Sequence, residues 1–368
     1  MKRLMKAIAL YALLVLVVPF AILEGVFRLL PVSSPPPIQP VTPEQPIGHF
    51  PPHVDYVYST GWNFAVLSHK HTNNYGLNNI ADYHPEERSP LLMVIGDSFV
   101  DALQVDAGKS AAELLNAGLR GAGRVYSIGL SGAPLSQYLA AAGYACATFH
   151  PQALAFVIIG NDFDESLLKY SDEPQLHHFD AEGRLVLSGY ELPLAKKVLR
   201  HSAFVRYVML NLVTGTRLIQ IRHLLRGAPA VPAAQAVSAE ERLRDSQHAV
   251  DLFFEQLPAQ CKVSPSSVLF VLDAMRPEIY TSASLSAAED SYQGRMRTYF
   301  AAAAHRLGYE VLDMQPVFIA RHARDGARFE FPTDKHWNAL GHEVVADQMR
   351  QSTVFQRLFG GRLVADTK

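Results

Sequence analysis

The stretch Leu91-Leu92-Met93-Val94-Ile95-Gly96-Asp97-Ser98 decides the fold of this chain. Five apolar residues in a row, ended by a glycine, are typical of a strand that is buried on both faces of a sheet. The chain then repeats the pattern, with apolar runs at Arg124–Ile128, Ala153–Ile159, Ser267–Leu272 and Tyr309–Leu312.

Helical stretches lie between most of these runs. They are predicted at Lys109–Arg120, at Pro134–Ala147, at Ala287–Leu307 and from Asn338 onward. Five strands that alternate with helices predict a parallel sheet covered by helices on both faces. Ligands of such sheets bind beyond the carboxyl ends of the strands, so the loops at those ends are where a site is expected.

The alternation lapses between residues 163 and 265, and we predict a mainly helical insertion there. Its basic middle, residues 191–226, is interpreted as the solvated face of one or two lid helices. A basic amphipathic element that rests on an anionic membrane or grips a partner is the alternative. A linker rich in proline and alanine follows at 227–235. The basic side chains are Lys196, Lys197, Arg200, Arg206, Arg217, Arg222 and Arg226.

The N-terminus has the pattern of a membrane anchor. Lys2, Arg3 and Lys6 precede an uncharged apolar run, Ala7–Leu23, that mostly apolar residues extend to Leu30. We therefore predict a transmembrane signal anchor at residues 1–30 that crosses a bacterial-type inner membrane once. The N-terminus should lie in the cytoplasm and the rest of the chain in the periplasm. A cleaved signal peptide, cut near Val32-Ser33-Ser34, is the competing interpretation.

Eight prolines lie between Pro31 and Pro51. A segment of this composition stays extended, so residues 31–52 are predicted to be a stiff spacer that builds no core. Residues 53–368 then form the main domain. Its first part, from about His53 to Ile80, is expected to form short strands or an ordered arm packed on the body of the domain.

Composition excludes some classes of function. The 368 residues include 33 basic and 35 acidic side chains, and no basic module interleaved with aromatics appears, so we expect no nucleic-acid partner. The chain lacks a metal-ligand motif, and we expect neither a metal nor a cofactor; His177-His178 are interpreted as surface residues.

Cys146 and Cys261 are interpreted as two buried thiols, with a single bridge as the alternative.

Polar residues follow the first three strands at the expected edge. Ser98 stands on a tight turn between a strand and a helix, which exposes its hydroxyl near the helix N-terminus. Gly132, after the second strand, lets the backbone approach closely and offers its N–H. Asn161, after the third strand, carries an amide that can help to hold an oxyanion. The amides of Ser98 and Gly132, with the Asn161 side chain, are therefore the predicted oxyanion hole.

A base for Ser98 is predicted in Thr333-Asp334-Lys335-His336-Trp337-Asn338. A serine hydroxyl becomes a nucleophile when a neighbouring base takes its proton, and histidine titrates near neutrality. A carboxylate fixes the tautomer and orientation of that histidine, so Asp334 is paired with His336. His342 is the nearest rival among the fifteen histidines, and Asp97 and Asp162 are alternative acids with structural roles favoured for both.

These blocks resemble those of the SGNH, or GDSL-like, hydrolases, which are named for a serine, a glycine, an asparagine and a histidine in separate blocks. Here they are Ser98, Gly132, Asn161 and His336, within Leu91–Met349. The resemblance implies a flavodoxin-like three-layer α/β/α sandwich. The usual family spacing is Asp-x-x-His. The shorter Asp334-Lys335-His336-Trp337 form resembles the alginate O-acetylation proteins and other envelope polysaccharide-modifying members.

The resemblance implies a serine-dependent esterase that acts on acyl, chiefly acetyl, esters of an envelope carbohydrate. An O-acetyltransferase that receives its acyl group from a membrane-bound acyltransferase, or works with a polysaccharide-assembly partner, is the first alternative. A non-catalytic carbohydrate-binding subunit is the second alternative. Ester cleavage by the purified protein would distinguish the esterase and the O-acetyltransferase from the non-catalytic binding subunit.

Overall fold

The computed structural model describes residues 4–5, 10–11, 13–42, 44–189, 200–212 and 237–363. The described residues fall into two compact units. The first is drawn from Met1–Pro35, Tyr56–His69 and Glu191–Ala230, and the second from Pro36–Asp55, Lys70–Tyr190 and Val231–Lys368. The second unit contains the parallel sheet and all of the predicted catalytic residues.

The strands and helices are numbered along the chain. The strands are β1 (Asp55–Thr60), β2 (Val66–His71), β3 (Leu91–Gly96), β4 (Arg124–Gly129), β5 (Ala153–Ile158), β6 (His177–Phe179), β7 (Leu185–Leu187), β8 (Val268–Leu272), β9 (Glu310–Asp313), β10 (Glu330–Phe331) and β11 (Asp334–Trp337). The α-helices are α1 (Val18–Arg28), α2 (Ser98–Asp101), α3 (Ala111–Gly118), α4 (Leu135–Thr148), α5 (Ala203–Arg206), α6 (Ala239–Gln260), α7 (Ser282–Glu289), α8 (Tyr292–Arg306), α9 (Met314–Asp325), α10 (Ala339–Gln351) and α11 (Thr353–Leu363). Short 3-10 turns lie at Asp164–Ser166, Pro265–Ser267 and Glu278–Tyr280, and π-helical stretches at Leu13–Val17 and Tyr207–Leu212.

The main sheet has five parallel strands in the order β4-β3-β5-β8-β9. Each predicted apolar run is one of these strands, and no bound differs by more than one residue. With β3 counted as the first strand, the order is 2-1-3-4-5, which is that of flavodoxin-like sheets. The predicted α/β fold with a five-stranded parallel sheet is therefore confirmed.

Alternate residues of the strands feed two hydrophobic layers. Met93 and Ile95 of β3 pack in one layer with α4, α6 and α8. Leu92 and Val94 pack in the other with α3, α9 and α10. Because side chains alternate across a strand, a strand that is apolar throughout buries both faces, and the three-layer arrangement follows.

The predicted insertion at 163–265 is partly wrong. Helix α6 belongs to one of the two core layers. Its side chains Phe253, Phe254 and Leu257 are buried there, and the helix packs against α4 and α8. It is thus the crossover helix between β5 and β8. Within the insertion, β6 and β7 form an antiparallel pair. The linker at 227–235 and most of the basic stretch lie outside the described residues.

One predicted helix needs correction and another helix was missed. The helix predicted at Ala287–Leu307 is two helices, α7 and α8. Ser291 starts α8, since its side chain accepts a hydrogen bond from the Gly294 amide. Helix α9 was not predicted, and it begins where the Asp313 side chain accepts from the Gln315 amide. Both breaks are made by short polar caps, which a smooth apolar pattern does not reveal.

Cys146 and Cys261 form a disulfide, so the interpretation of two buried thiols is wrong. Cys146 lies on α4 and Cys261 directly follows α6. These helices pack side by side, which brings the two Cα atoms to 5.6 Å although 115 residues separate them in the chain. That distance is ordinary for a disulfide.

The proline-rich segment does more than act as a spacer. Ile47 is 1% exposed and packs in the core with Leu77 and Tyr83, and Phe50 is also buried. The Phe50 amide donates to the Gly76 carbonyl. The expectation that residues 31–52 build no core is therefore wrong for the second half of the segment, since two apolar side chains among the prolines are enough to attach it.

In the first unit, a π-helical stretch at Leu13–Val17 continues into α1, and β1 pairs with β2. Over the described residues, no helix combines the length and the apolar character needed to cross a membrane. Part of the predicted anchor, including its leading basic residues, lies outside the described residues. The transmembrane anchor at residues 1–30 remains a prediction.

Candidate active site

Ser98 lies at the first residue of α2, directly beyond the carboxyl end of β3. Gly96 allows this tight turn, because a Cβ there would meet the Val100 side chain at 2.5 Å. The Asp97 carboxylate caps α2 by accepting from the Phe99 amide at 3.0 Å. Ser98 is half-buried, and its hydroxyl is held in place at the edge of the sheet.

His336 reaches Ser98 from β11. Its Nε2 lies 2.7 Å from Ser98 Oγ, and its Nδ1 lies 2.5 Å from Asp334 Oδ1. The same carboxylate oxygen accepts from the His336 backbone amide at 2.9 Å. The Asp-x-His spacing works because one carboxylate on the preceding turn bonds both the backbone and the ring of the residue two positions on. The structure thus brings Ser98, His336 and Asp334 into one hydrogen-bonded chain.

The charges of Asp334 and Asp97 favour protonation of His336, as a base requires. Burial opposes a charge on His336, but the hydrogen bond to Asp334 and the charges of Asp334 and Asp97 outweigh it, so the pKa of His336 lies above its ordinary value. Burial acts to raise the pKa of Asp334, and bonding to His336 outweighs it, so that pKa is lowered. Asp334 therefore stays ionised while His336 titrates.

Asp97 directly precedes Ser98, and its carboxylate lies beside the Ser98 hydroxyl. Burial raises its pKa to about 6, although the Phe99 amide, His336 and Ser98 partly offset that effect. Its Oδ2 lies 3.0 Å from Ser98 Oγ and accepts a hydrogen bond from that hydroxyl. The Ser98 hydroxyl thus has two acceptors, Asp97 and His336, and the proton moves to His336 only when the hydroxyl turns toward the ring.

We expect kcat/KM for an ester to rise with pH through an apparent pKa above 6.5, because His336 acts as a base only when neutral. Asp334→Asn should move this pKa down, since it removes the carboxylate that favours the charged ring. It should also lower the plateau by about 10⁴-fold, because an amide no longer selects the required tautomer. A pH–rate profile of both proteins measures the two effects.

Asp347→Asn is the matched control, because Asp347 is an exposed carboxylate paired only with Arg350 in a surface contact. Its profile should overlay that of the unmodified chain. An Asp334→Asn profile with an unchanged pKa and plateau would show that Asp334 does not orient His336.

The two other predicted oxyanion residues follow neighbouring strands. Gly132, after β4, has φ +80°, and no atom lies within 4 Å of where a Cβ would stand. Asn161, after β5, donates from its amide nitrogen to Glu165 Oε2 at 3.0 Å. An amide nitrogen carries two hydrogens, so this bond holds the Asn161 side chain and leaves one donor.

The rival residues have other contacts. His342 is buried, its Nδ1 accepts from the Ala111 amide at 3.2 Å, and burial lowers its pKa to about 3. Asp162 accepts from the Tyr138 hydroxyl and the Ile159 amide, and burial raises its pKa. Both therefore have structural roles.

The interpretation of His177 and His178 as surface residues is wrong for His178, whereas His177 is half-buried. His178 is fully buried with Nδ1 beside Ser188 Oγ, and His177 contacts Gln137. Among the described residues, no group of three histidine, cysteine or acidic side chains is placed to hold a metal ion.

Two residues that sequence reasoning missed hold both neighbours of His336. Asp273, directly after β8, accepts from the Trp337 indole N–H at 2.8 Å and from Arg276 Nη2 at 2.5 Å. Arg276 also donates to the Lys335 carbonyl at 3.0 Å. A sequence signal for both was available, since Asp273 and Arg276 follow the apolar strand β8 at the edge of the sheet where ligands bind.

Arg276→Met should lower kcat by about 100-fold, because β11, which carries His336, loses the hydrogen bond to its Lys335 carbonyl and small misplacements are costly in catalysis. It should also lower the free energy of unfolding by about 3 kcal/mol, since the half-buried carboxylate of Asp273 loses its paired cation and that of Glu330 loses one of two. Steady-state kinetics beside thermal unfolding measure both. Arg321→Met, which breaks a surface pair with Asp325, is the control, and an unchanged kcat in folded Arg276→Met would contradict the role.

A cavity of about 170 Å³ borders this constellation at the ends of β5 and β8. Phe99 forms part of its wall and also lies against the His336 ring, with 4.9 Å between ring centroids. Polar side chains form much of the rest, namely Asn161, Asp273, Arg276, Glu278, Gln293, Arg297 and Lys335. The His336 side chain is 27% exposed, so a ligand can reach the ring.

No family model and no curated protein matches the chain. Solved structures that it resembles include TesA, with 14% identity over 73% of this chain and 99% of that one, at a TM-score of 0.40. The acetyl xylan esterase AlAXEase shows 12% identity over 71% and 98%, at 0.39. A putative GDSL-like lipase from Parabacteroides merdae shows 13% over 73% and 97%, at 0.37. Likeness at this level does not bear on activity, which rests on the geometry of the site.

Proposed function

We propose that this chain is an SGNH-type serine esterase that removes short acyl groups, chiefly acetyl, from an extracytoplasmic carbohydrate. The observation that carries the proposal is the hydrogen-bonded chain from Ser98 Oγ through His336 to Asp334. A nucleophile, a base and an orienting carboxylate in this arrangement are the requirements of acyl transfer through a covalent intermediate. An intact chain of this kind argues against a binding-only role.

In the first half of the reaction, His336 takes the hydroxyl proton while Ser98 Oγ attacks the ester carbonyl. The resulting oxyanion is held by the amides of Ser98 and Gly132 and by the Asn161 side chain. Collapse of this intermediate breaks the ester bond, and His336 returns the proton to the departing sugar oxygen. An acyl-enzyme on Ser98 remains.

In the second half, His336 takes a proton from water, the water oxygen attacks the acyl-enzyme, and the carboxylic acid leaves as the proton returns to Ser98. A sugar hydroxyl in place of water gives an O-acetyltransferase by the same steps. Acetyl transfer needs an acetyl donor outside the cytoplasm. We propose that a membrane-bound acyltransferase supplies it.

The cavity supports a carbohydrate ester as the substrate. An acetyl group fits a cavity of about 170 Å³ at the ends of β5 and β8. The amide, carboxylate and guanidinium groups of the wall match sugar hydroxyls, which both donate and accept hydrogen bonds.

Two observations support a place outside the cytoplasm. The disulfide between Cys146 and Cys261 is of the kind that persists in oxidising compartments. The basic residues before the apolar run Ala7–Leu23 have the order of a segment whose following domain is exported. We place the catalytic unit in the periplasm, attached to the inner membrane by the N-terminus.

The test uses the full-length protein in detergent with acetyl, butyryl and octanoyl p-nitrophenyl esters and with acetylated sugar oligomers. A phosphonate that modifies reactive serines should add its mass to Ser98 alone. We expect turnover to fall steeply from acetyl to octanoyl esters. Faster octanoate cleavage would contradict the short-acyl assignment, and no serine-dependent turnover of any ester would contradict the esterase. Unacetylated oligomers, added as acceptors, separate transfer from hydrolysis.

A further inference from the structure

Glu24 is the only acidic residue between Lys6 and Leu30, and it makes an unusual set of contacts. Its carboxylate accepts from Ser202 Oγ at 2.7 Å and from the amides of Ala203 and Phe204, both at 3.1 Å. These are the donors that start α5, so a side chain of the N-terminal helix caps a helix about 180 residues away. The acid in the apolar run thus has a specific structural partner.

Aromatic rings extend this attachment. Phe27 lies 5.5 Å from Phe204 and 4.2 Å from Tyr207 between ring centroids. The Tyr207 hydroxyl donates to the Trp62 carbonyl at 2.7 Å, which ties the segment to the turn between β1 and β2. Helix α1, the helical segment 203–212 and the Trp62 turn therefore form one packed body in the first unit.

This body exposes several large apolar side chains. Trp62 is 73% exposed, Leu29 is 88% exposed and Ile22 is 61% exposed. Segment 203–212 adds exposed Met209, Leu210 and Leu212. Large apolar side chains gathered on one body in this way mark a surface that another phase or partner covers.

Three arginines lie near the point where the chain leaves α1. Arg28 is at the end of α1, and Arg200 and Arg206 donate to the carbonyls of Pro35 and Ser33 where the chain leaves the helix. Cations beside exposed aliphatic residues and an exposed tryptophan match the headgroup region of an anionic bilayer.

We propose that segment 203–212 and the Trp62 turn are a second membrane-contacting element, which enters the bilayer interface beside the N-terminal helix. Glu24 sets its position by capping α5. The partner is an anionic lipid surface, and the element acts independently of the esterase chemistry. It would hold the first unit at the bilayer by two segments that are distant in sequence.

The two tryptophans of the chain make a direct test, because Trp62 is exposed and Trp337 is 1% exposed. Full-length protein is reconstituted into vesicles of phosphatidylcholine and phosphatidylglycerol that carry bromine on their acyl chains. We expect bromine near the headgroups to quench Trp62 at least twofold more than bromine near the chain ends. Trp62→Phe should abolish the quenching, since only Trp337 remains. Unquenched Trp62 in vesicle-bound protein would overturn the proposal, whatever the ester turnover.

A second variant tests the capping contact. Glu24→Ala should leave the chain bound to vesicles through its apolar run but reduce the quenching of Trp62 by at least half. Glu44→Ala, which removes an exposed carboxylate outside the first unit, is the matched control and should behave as the unmodified chain. Full quenching in Glu24→Ala would show that Glu24 does not position the segment. Ester turnover, measured in parallel, should be the same in all of these variants.

Discussion

Ser98→Ala is expected to lower kcat for acetyl esters by about 10⁶-fold, the order of loss when the nucleophile of such a chain of residues is removed. Alanine deletes the oxygen that attacks the carbonyl, and His336 then has no proton to take. The oxyanion donors and the cavity remain, so a residual rate above that of water alone should persist. Initial rates with p-nitrophenyl acetate, and with acetylated oligomers, measure the loss.

The Ser98→Ala protein should stay folded, because the Ser98 side chain caps no helix and the Asp97 carboxylate still receives the Phe99 amide. Ser266→Ala serves as the matched control, since Ser266 is an exposed serine near Ser264 in a surface turn. Equal turnover by Ser98→Ala and Ser266→Ala would exclude Ser98 as the nucleophile. The phosphonate should also fail to label Ser98→Ala.

His336→Gln is expected to lower kcat by a similar factor, about 10⁶-fold, with little change in KM. Glutamine keeps a polar side chain of related reach but cannot take a proton at neutral pH. Binding contacts in the cavity do not pass through the His336 ring, so the loss should fall on the chemical step. Steady-state kinetics over a range of pH should also show that the rising limb has disappeared.

His342→Gln separates the base from its nearest rival. His342 is buried and neutral, so its replacement should cost stability but leave the rising limb of the pH profile in place. If His342→Gln removed the limb and His336→Gln did not, the base would be His342. Thermal unfolding of both variants, measured beside the kinetics, excludes loss of fold as the cause.

Much of the second unit was predictable because it depends on local patterns. Apolar runs that end in glycine predicted the strands, and the residues directly after them include Ser98, Gly132 and Asn161. The pairing of Asp334 with His336 was predictable as well, since the two residues are two positions apart. In each case the signal and the structure that it specifies lie within a few residues of each other.

Other parts were not predictable because they depend on contacts between distant segments. Helix α6 was taken as part of an insertion, since its apolar face is recognisable only when α4 and α8 pack against it. The disulfide depends on the same packing. Ile47 and Phe50 were hidden among prolines, and their burial follows from the surface that Leu77 and Tyr83 present.

The sequence by itself determined the five-stranded sheet, the edge at which a site is expected, and the three residues, Ser98, His336 and Asp334, that the structure joins by hydrogen bonds. Only the tertiary structure decided how these groups are held. Asp273 and Arg276 fix the residues on either side of His336, and Glu24 caps a helix of a remote segment. The physical reason is that strand formation depends on the spacing of nearby apolar side chains. A hydrogen bond between distant residues exists only after the chain has folded around it.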